Sequence, residues 1–272
     1  MAYLLRRKKL GRTSCREIAA KSQRGILAFR NDQKLPADNL VFRWGCVSNV
    51  PGNPTVINSA RAIHIVSDKP GFRKLLMPDK LCPKTWFGLG EAITYPCVVR
   101  PQFHHQGRQL YVCHNHQELV NATNRAGHGW YASELIKKVA EYRVFVVSGR
   151  AVCVARKHPG NPDQVAWNVF QGGRFENVRW DEWPLKAVKN SIAAFKLSGL
   201  DFGGVDVMVD AAGNTFILEI NSAPSLTSPY RQECFAKAFD YITRNGKNEI
   251  PLIEAKGGYT KFIHPAINQN AR

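Results

Sequence analysis

The stretch from Gly203 to Ser225 constrains the fold of this chain more than any other. Residues 205, 207 and 209 are all Val, while 216, 218 and 220 are Phe, Leu and Ile. Each segment therefore has one apolar face with the period of two that marks a β-strand. The two read as a hairpin around Ala211-Ala212-Gly213-Asn214, with Asp206, Glu219 and Asn221 on the other face. Register decides whether these three meet. Directly opposed residues in an antiparallel pair share a face, and a slip of one residue would set Leu218 against Asp206. With all four residues in the loop, Asp206 is predicted opposite Glu219, Val207 opposite Leu218 and Val205 opposite Ile220.

Two carboxylates held that close repel unless a cation lies between them. Mg²⁺ suits such a place, because it takes hard oxygen ligands, commonly one or two carboxylates, and fills its remaining positions with water and substrate phosphates. The alternative is a solvent-facing hairpin edge carrying ordinary acidic residues.

The sequence after the hairpin separates these readings. Asp206, twelve residues, Glu219-Ile220-Asn221 and then Ser222-Ala223-Pro224-Ser225-Leu226-Thr227-Ser228 resembles the metal-binding signature of the ATP-grasp superfamily. The likeness is to its D-alanine:D-alanine ligase and RimK-type amino-acid ligase branches. Further pieces follow in family order over about residues 60 to 230. Ile65-Val66-Ser67-Asp68-Lys69 is similar to the segment opening the first ATP-contacting helix, and Val98-Val99-Arg100-Pro101 to the "VVKP" strand. His105-Gln106-Gly107-Arg108 is similar to the glycine-containing loop over the phosphates, and Ser133-Glu134-Leu135-Ile136 to the adenine-reading hinge. Glu141-Tyr142-Arg143-Val144 resembles the acidic-x-Arg element of RimK-type enzymes, and Asn168-Val169-Phe170-Gln171-Gly172-Gly173 the stretch before their final helix.

The resemblance implies an α/β fold of the ATP-grasp type (α+β), in which a small N-terminal α/β lobe precedes two lobes that clamp ATP. The expected divisions are 1–80 for that lobe, 81–135 for the lid, 136–250 for the unit with the metal hairpin, and 251–272 for a tail. It further implies that Asp206 and Glu219 hold one Mg²⁺ and that Glu219 and Asn221 share a second, with Mn²⁺ as a substitute. Lys69, Arg100 and Gly107 would meet the ATP phosphates. Glu134 and the backbone of Leu135 and Ile136 would meet adenine, and Glu141 the ribose.

Two departures stand out. Arg100 replaces the family's Lys, keeping the charge but presenting a planar fork. The D-alanine ligase branch has an Arg two residues before the metal Asp, where this chain has Gly204. The cation facing the γ-phosphate is then expected from Arg143, Arg156 or Lys157, which with Asn221 form the candidate catalytic set. The expected activity is joining a carboxylate to an amine through an acyl phosphate, with an amino acid, peptide or related acceptor. A grasp-type kinase, and an ATP-binding protein without turnover that docks a polyanion, are the alternatives.

Composition excludes little. The 272 residues are 44% hydrophobic and 22% charged, ordinary for a globular chain. No apolar run approaches the roughly 20 residues of a membrane span, and Met1-Ala2-Tyr3-Leu4-Leu5 ahead of Arg6-Arg7-Lys8-Lys9 has the wrong order for a signal peptide. A cytoplasmic protein is expected, with an Arg-rich transit peptide as the alternative. The seven cysteines show no Cys-x-x-Cys spacing, so neither zinc nor a disulfide framework is expected.

The net charge of +17 is less ordinary. Residues 1 to 30 carry nine Lys or Arg against the single acid Glu17. Such a segment reads either as a basic arm that recruits an acidic peptide or nucleic acid, or as a solvated extension. Ser14-Cys15-Arg16-Glu17 reads as a capping box starting a helix to about Arg24. Asp68 reads as the cap of a helix through Leu76, and Asn115 as the cap of another. A helix with Leu185, Val188, Ile192 and Phe195 on one stripe should stop at Gly199, and a last helix should turn Phe235, Phe239 and Ile242 inward.

Overall fold

The computed structural model describes residues 1–103, 109–161, 164–167, 169, 172–247 and 250. The Gly107 loop, Asn168, and the tail expected over 251–272 lie outside them. Three sheets organise the described residues. The first is parallel and joins β1 (Ala2–Arg6), β2 (Leu27–Arg30), β3 (Leu40–Trp44) and β4 (Thr55–Ile57) in the order β2-β1-β3-β4. The second is antiparallel, order β5-β8-β6-β7, from β5 (Thr85–Trp86), β6 (Cys97–Arg100), β7 (Tyr111–Cys113) and β8 (Tyr131–Glu134). The third, also antiparallel, runs β11-β10-β9-β12-β13 and is made of β9 (Lys138–Val147), β10 (Arg150–His158), β11 (Arg174–Asn177), β12 (Phe202–Asp210) and β13 (Thr215–Asn221). Six helices accompany them among the described residues: α1 (Arg12–Lys21), α2 (Ala60–Ser67), α3 (Lys69–Leu76), α4 (His116–Ala126), α5 (Leu185–Ser198) and α6 (Pro229–Asn245).

Period-two burial divides the third sheet. Val144, Val205, Val207, Ile217 and Ile220 face α5 and the α2–α3 region in one core. Phe145, Cys153, Ala155 and Phe202 face α6 in another, which also takes in Leu4, Phe42, Trp44 and Ile57 of the first sheet. Aromatic rings tie these together: Phe42 stacks on Phe239 at 4.2 Å between centroids and Trp44 on Phe202 at 5.4 Å. The first sheet and the third therefore share one interior.

That sharing corrects the expectation of a basic arm. Ala2, Leu4 and Leu5 are fully buried in β1, which lies between β2 and β3. Arg6 is buried too, and its guanidinium donates to the carbonyls of Arg7 and Lys8, while Arg7 donates to Gly45 O. Alternation of apolar residues is lost in a parallel strand buried on both faces, and so the Arg and Lys beyond Leu5 dominate the sequence signal. The capping box is also corrected. The helix starts at Arg12 with Gly11 as its cap residue, and Ser14 is buried within it, accepting a hydrogen bond from Leu226 N at 3.0 Å.

Other termini follow local chemistry. Asn115 accepts from Glu118 N at 2.9 Å while Glu118 accepts from His114 N, so α4 carries a reciprocal cap. Gly199 (φ 68°) ends α5. Asp68 occupies the cap position of α3 without a side-chain capping bond, and its carboxylate accepts from Gln102 instead. β9 and β10 are joined by Ser148 and Gly149, both with positive φ, as a two-residue hairpin requires. The seven cysteines are all buried free thiols. Among the described residues no helix is long and apolar enough to cross a membrane.

Candidate active site

The hairpin of β12 and β13 sets Asp206 opposite Glu219 and Val205 opposite Ile220, as expected, but by another route. Nearer the turn Val207 pairs with Ile217 and Val209 with Thr215, so Val207 is not opposite Leu218. Asp210 N donates to Asn214 O, and Gly213 takes a φ of 75° in a tighter turn than a four-residue loop. A bulge between Asp206 and Val207 on one side and Leu218 on the other restores the register that brings the carboxylates together. Arg73 of α3, itself buried, donates to the carbonyls of Ile217 (2.9 Å) and Leu218 (2.8 Å), which secures the bulge. Ile217, rather than Phe216 or Leu218, fills the core.

Three basic side chains converge on the two carboxylates. β9 lies on the other side of β12, and its Arg143 is directly opposite Asp206. Arg143 Nε and Nη2 meet Asp206 Oδ1 and Oδ2 at 2.5 and 2.7 Å, a two-pronged pair. Lys157 of β10 reaches Asp206 Oδ2 at 3.4 Å. Lys69, the first residue of α3, reaches Glu219 Oε2 at 3.0 Å, and Asn221 Nδ2 donates to Glu219 Oε1 at 3.1 Å. Glu141 is buried between Lys138 and Lys157 and paired with both. Lys138 also lies 4.5 Å from the Trp167 ring centre.

These partners decide the charges. Burial alone would push Glu219 up, but Lys69, the Asn221 amide and Arg143 outweigh it and hold its carboxyl well below the usual range. Burial likewise opposes ionisation of Asp206, and Arg143 and Lys157 overcome it. Lys157 and Arg143 are held up by the carboxylates against the effect of burial. Burial wins at Lys138, whose ammonium is pushed down despite Glu141.

Of the three cations proposed for the missing Arg, the structure brings two to the carboxylates. Arg156 is exposed and shares a face with its strand partner Tyr142, opposite to Lys157 and Arg143, because side chains alternate along β10. Gly204 explains the substitution. A Cβ there would stand 3.2 Å from Arg143 Cδ and 3.1 Å from Pro224 Cβ, so the absent side chain leaves room for the stem of Arg143.

The nucleotide candidates lie where the second and third sheets join. Glu134 ends β8, and Leu135, Ile136 and Lys137 lead directly into β9. Glu134 is exposed, Leu135 N donates to Pro96 O, and Ile136 O accepts from Lys138 N. Arg100, at the end of β6, donates to Ser133 Oγ at 2.7 Å, and burial lowers its pKa while Glu219 acts to raise it. Reasoning from sequence missed Lys138 and Arg73. Lys138 was hidden because it precedes the Glu141-Tyr142-Arg143-Val144 element by three residues, and Arg73 because its partners are backbone carbonyls.

The donor set fits Mg²⁺. Asp206, Glu219 and Asn221 supply only hard oxygens, and because Glu219 engages the Asn221 amide nitrogen, the amide oxygen is the atom available to a cation. No group of three or more His, Cys, Asp and Glu suited to a metal occurs among the described residues. Two carboxylates and an amide leave the other positions to water and phosphate.

Sequence and structure comparisons agree on the fold. A profile described as an ATP-grasp domain, the third family of its clade, matches residues 86–240, more than half of the chain. No curated protein matches in sequence. Among solved structures, the ATP-grasp ligase PsnB complexed with minimal precursor superposes with a TM-score of 0.65 at 15% identity, over 89% of this chain and 99% of that one. The D-alanine–D-alanine ligase of Bacillus anthracis complexed with ATP gives 0.64 at 14%, over 90% and 96%. The macrocyclase MdnC of Microcystis aeruginosa, bound with precursor peptide MdnA, gives 0.63 at 14%, over 90% and 100%. At such identities the likeness is one of fold. The profile match goes further, and by it the chain belongs to the ATP-grasp superfamily.

Proposed function

We propose that this protein joins a carboxylate to an amine at the expense of ATP, through an acyl phosphate, releasing ADP and phosphate. The observation that carries the proposal is the convergence of Asp206 and Glu219 with Arg143, Lys157 and Lys69 on one face of the third sheet. A carboxylate has no usable leaving group towards an amine, and phosphorylation supplies one. The γ-phosphoryl group transfers through a charge-rich transition state that fixed cations stabilise.

Arg143 would hold the transferring group and Lys157 would balance the charge developing beside it. Lys69 and Arg100 would hold the other phosphates. Glu134, Leu135 and Ile136 would line the adenine end. Glu141 would keep the ammonium groups of Lys138 and Lys157 in place, in addition to any ribose contact. Asp206, Glu219 and Asn221 would hold Mg²⁺, which when bound neutralises charge on the phosphates. For that, the carboxylates must exchange part of their contact with Lys69 and Arg143. The Lys69–Glu219 pair is the readier to open, because both side chains are partly exposed.

PsnB and MdnC are described with precursor peptides, which favours a peptide as one substrate of this chain too. A screen for ADP release over amino-acid pairs and peptides, with product mass measured, tests the reading. A mass lower than the sum of the substrates by one water supports it. A stable phosphoester would instead identify a kinase, and tight MgATP binding without ADP release under any pair would identify a binding protein.

A further inference from the structure

The chemistry proposed for the site leaves other buried cations unused, Arg231 among them. Arg231, in the first turn of α6, is 2% exposed. Its Nη2 donates to Thr227 Oγ1 at 3.3 Å, while Nε and Nη1 have no hydrogen-bond partner among the described residues. A guanidinium does not give up its proton in a protein, so the charge remains where burial makes it costly. Carboxylates that might balance it are engaged elsewhere: Asp206 by Arg143 and Lys157, Glu219 by Lys69, Glu141 by two lysines.

What surrounds Arg231 is aromatic and cationic. Its guanidinium carbon lies 5.9 Å from the Phe145 ring centre and 5.6 Å from that of Phe175. The guanidinium of Arg143 lies 4.8 Å from the same Phe175 ring. Two arginines thus share one ring, and among the described residues only Arg143 has an anion. Ring faces attract cations, but by far less than a buried charge needs. Thr227, which holds Nη2, is exposed, so the guanidinium is one hydrogen bond below the surface.

We propose that Arg231 binds a carboxylate of the non-nucleotide substrate, beside Arg143 and across the Phe175 ring. The order of the sheet separates this anion from ATP: Lys69 reaches the site from the β13 end at Glu219, whereas Arg231 lies between the rings of Phe145 in β9 and Phe175 in β11, on the other side of β12. An anion on Arg231 would face the transferring group from the side away from those phosphates. This inference rests on the ligase reading only in calling the anion a substrate.

The test reads binding without turnover. Thermal unfolding of the full chain and of Arg231→Met and Arg231→Lys is followed at constant ionic strength with sodium acetate, inorganic phosphate or MgATP. Without added anion, Arg231→Met should be as stable as wild type or more so, since it removes an uncompensated charge and keeps the volume. Acetate should raise the wild-type Tm by a few degrees at about ten times its Kd, should leave Arg231→Met unmoved, and should act weakly on Arg231→Lys. MgATP should stabilise all three alike. Equal acetate responses in wild type and Arg231→Met would overturn the proposal, as would a lower Tm of Arg231→Met without anion, the sign of a structural role. Loss of the phosphate and MgATP responses instead of the acetate response would place Arg231 on the nucleotide. A wild type that binds acetate through Arg231 yet never releases ADP would remove the ligase reading and leave the site standing.

Discussion

Replacing Arg143 with Ala probes both the architecture of the site and its chemistry. The Arg143–Asp206 pair is two-pronged, at 2.5 and 2.7 Å, with side chains only 12% and 4% exposed. Removing one partner of a buried pair typically costs about 3–5 kcal/mol, mostly because a charge is left uncompensated. Lys157 remains at 3.4 Å from Asp206 Oδ2 and carries part of that burden, so the lower end of the range, about 3 kcal/mol, is expected. In a chain of this size that corresponds to a fall in Tm of roughly 6–12 °C. Unfolding should be followed without divalent cations, so that no metal replaces the lost partner. Adding Asp206→Asn to Arg143→Ala should recover stability relative to the single variant, because the stranded charge is gone. In ADP release, Arg143→Ala should lose about 10²-fold or more in kcat with little change in the KM for ATP, the pattern of a contact made mainly in the transition state. A Tm within about 1 °C of wild type, or a kcat within about threefold, would refute the reasoning.

Other expectations follow from the same geometry. Glu219→Gln should abolish ADP formation, by about 10²-fold or more, while changing stability by at most about 1 kcal/mol because its pair with Lys69 is partly exposed; full turnover in saturating Mg²⁺ would end the metal assignment. Deleting residues 1–12 should prevent folding, since β1 lies inside the parallel sheet and shares a core with α6, and an intact circular dichroism melt in the truncated chain would contradict the shared interior. Asp206 and Glu219 have folded pKa values below their unfolded ones. The unfolded chain therefore binds more protons as pH falls through about 4, so their contribution is complete above about pH 5 and is lost below it; chemical denaturation from about pH 6 to 3 should show the loss, and a smaller one in Glu219→Gln.

How much of this was legible in the sequence depended on whether the determinants were local. The alternation of Val205, Val207 and Val209, the cap at Asn115, and the stop at Gly199 act within a few residues, and each appears as read. The hairpin placed Asp206 opposite Glu219 as expected, yet the turn was shorter and a bulge made up the difference. Nothing local specifies that bulge, since Arg73 secures it from a helix far away in the chain. The buried parallel strand β1 was read as part of an arm because burial on both faces removes the period-two signal. Gly204 was recognised as a departure, but that it clears space for Arg143 depends on strand adjacency. Arg156 and Lys157 were indistinguishable as a pair of basic neighbours until the register of β10 assigned them to opposite faces.

The acyl-phosphate claim is tested most directly by following oxygen. A carboxylate substrate found in the ADP-release screen is labelled with ¹⁸O and turned over with ATP and its amine partner, and the released phosphate is analysed by mass. Attack of the carboxylate on the γ-phosphoryl group and then of the amine on the acyl phosphate moves one carboxylate oxygen into phosphate. The account predicts singly labelled phosphate in amounts equal to ADP and to the amide formed; unlabelled phosphate, or ADP formed with no phosphate released, would contradict it.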